Sequence, residues 1–518
     1  MYKRQPDDLI SAILRAPVDL LWNGGIGTYV RATSETDAQV GDRANDPVRI
    51  TAQEVRAKAA GEGGNLGWTQ AGRIEYARNG GRINTDFIDN SAGVDTSDHE
   101  VNIKILLDAE VAAGRISEKE RDELLPAMAD DVAALVLRHN RSQNLALANA
   151  LSPSGPTAGV LEAWMCQLEQ SGHLDRAVDT MPSTTEMNRR MAAGQRLSSP
   201  ELCTLLAWTK IALCDAVLAT NLPEDPFVAD RLVGYFPPLL RKRFAEQMPA
   251  HRLHREIITT EAVNRFVDSQ GITAYYRLHL QTGANIAQVI RCQLAARSVF
   301  GLGKVETDLT RLGLDATRTA KIRLALRNLA MHATRWFLNH GGADDIAGTI
   351  ETYRYGVAKL IENLSELLHG DSADAWQEKV DEVTELGLDR SDAAVVAAYD
   401  WGPVLLSVVE ISEEGHPLDE VADAYLTLAR RVDMIRLTRL VEQLPQDRPT
   451  DARVRASLRE DLLQVMSDAT RRALKVGTDN VLAHGGRIVE SIAANPDLAH
   501  CVVMVSDLRS AVGQEVTL

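Results

Sequence analysis

The chain has 518 residues, of which 45% are apolar, 25% charged and only 5% aromatic, with a formal charge of −16. At roughly 100–200 residues per domain this length accommodates two to four domains, and the composition is that of an ordinary soluble globular protein. The acidic balance argues against a nucleic-acid partner, which requires a basic face, and no run of about 18 apolar residues exists to make a transmembrane helix.

In chain order, Ala16–Trp22 is a short apolar run closed by Asn23-Gly24-Gly25, which reads as a buried strand and a tight turn. Gln53–Lys58 reads as a short helix leading into a strand around Ala57–Ala60, followed by the loop Gly61–Gly67. Thr69–Arg78 is a helix stopped by Gly80-Gly81. Ile83–Ile88 reads as a further strand, and Ser97–Ala113 as a helix with Ser97 at its cap. Strand and helix alternating at this spacing predict a parallel α/β sheet.

Beyond about residue 125 the periodicity is almost wholly helical, clearest at Glu201–Thr220, Ala325–Asn339, Asp419–Leu444 and Ala456–Leu474. Loops are marked by Ser152-Pro153-Ser154-Gly155-Pro156, Pro223–Pro226, Pro237-Pro238 and Gly341-Gly342. The expected fold class is therefore α/β followed by all-α, divided as 1–125, 126–345 and 346–518. The five cysteines, Cys166, Cys203, Cys214, Cys292 and Cys501, are scattered and form no CxxC, as reduced thiols of a cytoplasmic protein would be. Cys203 and Cys214 lie in apolar helical surroundings and are expected in the core. Met1-Tyr2-Lys3-Arg4-Gln5 is not followed by a signal-peptide core. A strand this soon after the start predicts a truncated chain behind a short foreign leader.

Four polar, glycine-bearing clusters fall within the first 105 residues. Asn23-Gly24-Gly25-Ile26-Gly27 follows a strand, where backbone can approach a ligand closely, and it is equally an ordinary turn. Gly61-Glu62-Gly63-Gly64-Asn65-Leu66-Gly67 has the look of a dinucleotide fingerprint with Asp86 beyond it, but its third glycine is misplaced for G-x-G-x-x-G. A ligand-facing loop with Asn65 as amide donor and acceptor is the plainer reading. The stretch from Asn84 to Glu100 reads as strand, polar turn and helix start, whose free N–H groups suit a carboxylate or simply a cap. Gly41-Asp42-Arg43-Ala44-Asn45-Asp46 reads as a salt-bridged structural loop.

The remaining chemistry-bearing residues are weaker. His99 beside Glu100 has no metal-ligand spacing, so no metal is expected. No G-x-S-x-G and no phosphate-binding G-x-x-x-x-G-K-[ST] occurs. His251, His254 and Arg255 on one helix suit an anion but read more simply as a surface face, and Trp22, Trp68 and Trp164 read as packing residues.

Together these segments resemble the large bacterial NAD-specific glutamate dehydrogenases: VDLLWNGGIGTYV (18–30), VGDRAND (40–46), GEGGNLG (61–67), TQAGRIEYA (69–77) and GGRINTDFIDNSAGVDTSDHEVNIKILL (80–107). The helical part joins them through SQNLALA (142–148), GQRLSSPEL (194–202), YFPPLLRKRF (235–244) and HRLHREIITTEAVNRF (251–266). The resemblance implies that residues 1–125 are the C-terminal half of a Rossmann-like NAD-binding domain, a partial parallel sheet, followed by a large helical region serving assembly or regulation. It implies NAD as cofactor, L-glutamate and 2-oxoglutarate as substrate and product, and a homo-oligomer of the full-length chain.

By the same resemblance Gly24 and Gly64 let the cofactor lie against the strand ends. Asn65 contacts the nicotinamide ribose, Asn90 the nicotinamide carboxamide, and Ser97 the side-chain carboxylate of glutamate. Ser91 and Ala92 stand where the smaller glutamate dehydrogenases carry Ala and Gly, which bears on the geometry of that turn. The family's proton-transferring lysine and aspartate, and its pyrophosphate turn, are expected upstream, so no catalytic residue is assigned and the chain is expected to be inactive alone. The contrasting expectation is a non-catalytic helical assembly or regulatory subunit with a vestigial cofactor half-domain.

Overall fold

In the computed structural model the chain forms two compact units, Met1–Thr273 and Ala274–Leu518. The structure describes residues 5–153, 155–444, 448–482, 487–488 and 497–513; the leader Met1–Arg4 and Ser154 of the 152–156 loop lie outside them. Both units are mostly helical.

The strands of the first unit are short. β1 (Leu20–Asn23) pairs in parallel with β4 (Ala59–Glu62), in register from Leu20↔Ala59 to Asn23↔Glu62. β2 (Val30–Arg31) pairs in parallel with β3 (Ile50–Thr51), and single parallel bridges join Val30 to Trp68 and Ala59 to Arg82. Every pairing among the described residues is parallel, as the alternation of apolar runs and helical patterns predicts. The core of this part is Val30, Ile50, Ala60, Trp68, Tyr76 and Ile83, with Trp68 and Tyr76 ring centroids 5.1 Å apart. Helix Gln70–Arg78 closes over it, capped by the Thr69 hydroxyl accepting from Gly72 N at 3.0 Å.

Three sequence expectations are corrected here. The 16–22 run yields a strand only from Leu20, and an open one: Leu20 and Trp22 are each 57% exposed. Ile83–Ile88 is not a strand; after the single bridge at Arg82 the chain turns into a short helix, Asp86–Asp89. Thr85 and Asp86 favour helix starts over strand, and Asp86 Oδ1 accepts from Phe87 N at 2.9 Å. The next helix, Ser91–Ala112, begins six residues before Ser97, with Asn90 at the joint.

Helix Ser91–Ala112 packs on Ala129–Leu151, and Ser199–Leu218 packs on His254–Gln270. Asn84 ties the strand region to these helices, donating to Asn144 Oδ1 at 2.9 Å and accepting from Ser199 Oγ at 2.8 Å. In the second unit, the expected Asp419–Leu444 helix is broken into Leu418–Arg431 and Met434–Gln443. At the break Asp433 adopts φ 45° and its carboxylate accepts from Arg436 N at 3.3 Å, so an Asx cap outcompetes helix continuation. No single described helix is long and apolar enough to cross a membrane.

Candidate functional site

Because β1 and β4 are parallel and in register, their C-terminal residues Asn23 and Glu62 lie side by side, and both strands run directly into glycine turns. The carbonyl of Asn23 accepts from Gly63 N at 2.9 Å and Gly64 N at 3.1 Å, stitching the turns together. A Cβ on Gly64 would strike the carbonyl of Gly25, and one on Gly61 or Gly63 would stand 2.8 or 2.6 Å from the Trp22 ring. Glycine is thus required by close approach to backbone at Gly64, while at Gly61 and Gly63 a Cβ would displace the open Trp22 ring. Leu66 completes the loop at φ 62°, unusual for a branched residue, and is 65% exposed.

The loop is held from beneath by buried charge. Glu62, fully buried, receives Arg73 Nε at 2.7 Å and Nη2 at 3.0 Å, and Arg73 reaches Asp86 at 3.2 Å. Asp86 Oδ2 accepts from Leu66 N at 2.8 Å, and Glu62 Oε1 from Trp68 N at 3.2 Å, so the carboxylates fix both ends of the turn. Burial pushes the Glu62 carboxyl up, against the pull of Arg73, while the two acids hold the Arg73 guanidinium above its usual value despite its burial. Asp86 is therefore occupied as a structural anchor. It is not free to read a ribose, which disposes of the fingerprint reading.

On the open side of the loop, Asn90 Nδ2 donates to Asn65 Oδ1 at 3.1 Å, although 25 residues separate them in sequence. Gly24, Gly64, Asn65 and Asn90 thus meet around the ends of β1 and β4. Trp22 lies across the glycines with half of its surface open, not in the core as the packing expectation had it. Its place one residue before Asn23-Gly24-Gly25 was the available signal. Ile26, Phe87 and Val94 are exposed around the same rim at 89%, 43% and 63%.

Ser97 is on the exposed face of helix Ser91–Ala112, its Oγ donating to Val94 O at 2.7 Å. It is no cap. The amides of Asp89, Asn90, Gly93 and Val94 are already bonded to the carbonyls of Thr85, Asp86 and Asn90, so Ser97 has no helix N-terminus behind it. It does lie seven residues beyond Asn90, on the same helical stripe and about 10 Å further along.

The opposite face of that helix is buried and charged. Asp95 accepts from His99 Nδ1 at 3.0 Å and His139 Nδ1 at 2.7 Å, and His99 stacks on Tyr235 at 4.2 Å. Burial opposes charge on Asp95, but the two imidazoles hold its carboxyl well below the usual range. Asp95 in turn raises His99 against its own burial. Tyr235 Oη donates to Asp98 at 2.7 Å, leaving Asp95, Asp98 and His99 with ligand atoms within 4.8 Å of one another. His251 is buried rather than on a surface face: its Nε2 donates to Asn102 O at 3.1 Å, and its Nδ1 accepts from Leu253 N. The 41–46 loop is salt-bridged as expected, though through Arg49, which reaches Asp37 at 3.1 Å and also Asp46. Its Asp42 accepts from Thr28 N at 2.8 Å and so positions the glycine turn after β1. Cys203 is buried, and its thiol is pushed up to about 12 by desolvation; Cys214 is half-buried. Trp68 and Trp164 are packed, at 3% and 2% exposure.

Two family models match the chain: "Bacterial NAD-glutamate dehydrogenase, catalytic domain" over residues 2–150 and "Glutamate dehydrogenase, C-terminal" over residues 194–516. The chain is 40% identical over 474 residues to an NAD-specific glutamate dehydrogenase of Mycobacterium tuberculosis, a match covering 91% of this chain and 29% of that protein. It is 38% identical over 524 residues to one of Pseudomonas aeruginosa, covering 99% and 32%. It is 36% identical over 465 residues to one of Halomonas elongata, covering 89% and 29%. The chain therefore spans 29–32% of the length of these curated relatives.

Proposed function

The chain belongs to the bacterial NAD-glutamate dehydrogenase family, and from that premise we propose that residues 1–125 form the nicotinamide side of the cofactor cleft of an NAD-dependent glutamate dehydrogenase. The two short parallel sheets are then the C-terminal part of a Rossmann-like domain, and the helical regions 126–345 and 346–518 serve assembly or regulation. The reaction is reversible oxidative deamination, L-glutamate, NAD and water giving 2-oxoglutarate, ammonium and NADH.

The observation that carries this reading is the meeting of Gly24, Gly64, Asn65 and Asn90 at the adjacent ends of two parallel strands, where open α/β sheets bind ligands. The surface fits a nicotinamide nucleoside. Its floor is glycine backbone that admits no Cβ at Gly64, its side is the Trp22 ring, and its rim carries two carboxamides. The nicotinamide ring, when bound, accepts the hydride from the substrate carbon. This chain's residues position and orient it. The Asn90 amide supplies both a donor and an acceptor, as the ligand's own carboxamide requires, and so selects which ring face is offered. Asn65, steadied by Asn90, hydrogen-bonds the ribose. Ser97, on the same stripe as Asn90, binds the glutamate side-chain carboxylate at the far end. The Glu62–Arg73–Asp86 network keeps the loop in place while the ligand exchanges. We assign no proton-transferring residue in this chain; the lysine and aspartate of the family belong to the length of the relatives that the chain does not span.

The test is a titration of the full chain with reduced nicotinamide mononucleotide, reading Trp22 fluorescence. Saturable quenching that disappears in Trp22→Phe, and weakens in Asn65→Ala and Asn90→Ala, is expected. Quenching that is absent, or identical in Asn65→Ala and Asn90→Ala, overturns the assignment.

A further inference from the structure

The second unit gathers arginines without carboxylate partners in a way the first does not. Buried arginines of the first unit each have carboxylates: Arg73 has Glu62 and Asp86, and Arg176 has Glu162 and Glu169. In the second unit Arg277 on helix Ala274–Thr282, Arg327 and Arg335 on Ala316–Asn339, and Arg455 and Arg459 on Pro449–Val476 form no ion pair among the described residues. Arg335 is 9% exposed, and its one hydrogen bond is a long one, Nη1 to Gln281 Oε1 at 3.4 Å. The Nε atoms of Arg455 and Arg459 are buried with no hydrogen-bond partner.

The three helices converge. The Arg335–Gln281 bond joins the first to the second, and Asn339 and His340 bind Glu460, joining the second to the third. Arg455 and Arg459, four residues apart, share one face of their helix. Among the described residues, the carboxylates that face the cluster are Glu442 and Glu460. Glu460 is already engaged by His340 Nε2 at 3.0 Å and Asn339 Nδ2 at 2.6 Å. Among the described residues, five guanidinium groups against two acids leave a surplus of about three positive charges, carried by buried Arg335 and four half-buried arginines.

The guanidinium groups respond accordingly. Desolvation, then the charges of Arg327, Arg335 and Arg455, hold Arg277 down to about 10. Desolvation holds Arg335 at about 10 against the pull of Glu460, with Arg455 adding to the lowering, and desolvation, then Arg335 and Arg455, hold Arg459 well below its usual value. Desolvation, followed by the charges of Arg335, Arg459 and Arg277, keeps His332 beside them neutral. In the paired arginines Arg73 and Arg176 the shift runs the other way. An oxyanion among these groups offsets that repulsion, and the forked geometry of guanidinium suits oxyanions.

We propose that the arginine cluster formed by Arg277, Arg327, Arg335, Arg455 and Arg459 is a binding site for a small multivalent oxyanion, carrying two or more phosphate or carboxylate groups. The site belongs wholly to the second unit and is independent of the nicotinamide reading, so it is testable without turnover.

The experiment is thermal unfolding and calorimetric titration of the full chain in a chloride buffer. The probes are inorganic pyrophosphate and propane-1,2,3-tricarboxylate, each against sodium chloride at equal ionic strength. A saturable rise in Tm with at least one probe is expected, since a ligand of the folded state alone stabilises it by mass action. The effective probe identifies the group as phosphate or carboxylate. In Arg335→Gln and Arg459→Gln the affinity falls by about tenfold or more. The unliganded variants melt no lower than the parent, because a repelling charge has gone. Arg455→Gln provides the same comparison if either variant fails to fold. The proposal is overturned if neither probe exceeds the chloride control, or if the shift persists undiminished in the arginine variants.

Discussion

Arg73 sits between two acids that would otherwise be buried without a countercharge, and the glycine loop hangs from those acids. Replacing it by methionine keeps volume but leaves Glu62 stranded at 0% exposure. Breaking such a pair from one side costs about 3–5 kcal/mol, far more than the pair itself contributes relative to an apolar core. Urea unfolding of Arg73→Met should show that loss; a change below about 1 kcal/mol, the level of a surface pair, would mean that the network is not what holds the loop. His340 presents a case with a defined pH window. Its ring lies between Glu410 and Glu460, with both nitrogens 3.0 Å from a carboxylate oxygen, and these acids raise it to about 9 from 6.5 despite the opposing effect of burial. A histidine raised on folding stabilises the protein fully below its unfolded value and loses that contribution as pH climbs through the folded one. The advantage of the parent over His340→Gln should be of order 3 kcal/mol below pH 6.5 and fade by about pH 9. A stability difference that stays flat over that interval would refute the ion-pair assignment.

At the scale of elements, helix Gln70–Arg78 and the loop before it are one device. Thr69 caps the helix through Gly72 N at 3.0 Å while the helix presents Arg73 to the loop. Thr69→Ala should cost about 1 kcal/mol, the usual value of such a cap. Gly64→Ala should cost about 1–3 kcal/mol through its collision with Gly25 backbone, and should abolish nicotinamide mononucleotide quenching with it. If Gly64→Ala is as stable as the parent, the close approach of the two turns is absent in solution. Why these elements were legible differs from case to case. The helix was readable because its stop, Gly80 at φ 94°, and its apolar spacing are local facts. The Gly24, Gly64, Asn65 and Asn90 set was named through family resemblance, because the 25-residue gap between Asn65 and Asn90 is closed only by tertiary structure. The 83–88 strand failed because an apolar run cannot reveal that Thr85-Asp86 will start a helix instead. Ser97 was misplaced as a cap for the related reason that Asn90, seven residues ahead of it, joins two helices into one path. The arginine cluster was unreadable, since its members come from helices almost 200 residues apart and each alone resembles a solvated surface charge.

At the scale of the molecule, the proposed nicotinamide surface has one wall. Hydride transfer needs donor and acceptor pressed together in a site from which water is excluded. Here the ring of Trp22 and the side chains of Ile26, Leu66, Phe87 and Val94 stand exposed at 57%, 89%, 65%, 43% and 63% around the ligand-facing loops. The outer edge of β1 has no strand against it among the described residues. The chain spans 29–32% of its relatives, so the opposing wall and the proton-transferring groups are assigned to the remaining length. Purified alone with L-glutamate and NAD, the chain is therefore expected to produce no NADH. The open rim should favour self-association, seen as a concentration-dependent increase in mass by light scattering. Replacing Ile26 and Val94 by serine should reduce that association without weakening mononucleotide binding, because neither side chain forms the glycine floor or the carboxamide pair. Glutamate-dependent NADH formation by the isolated chain would show that a complete cleft exists within these 518 residues, and the one-walled picture would have to be abandoned.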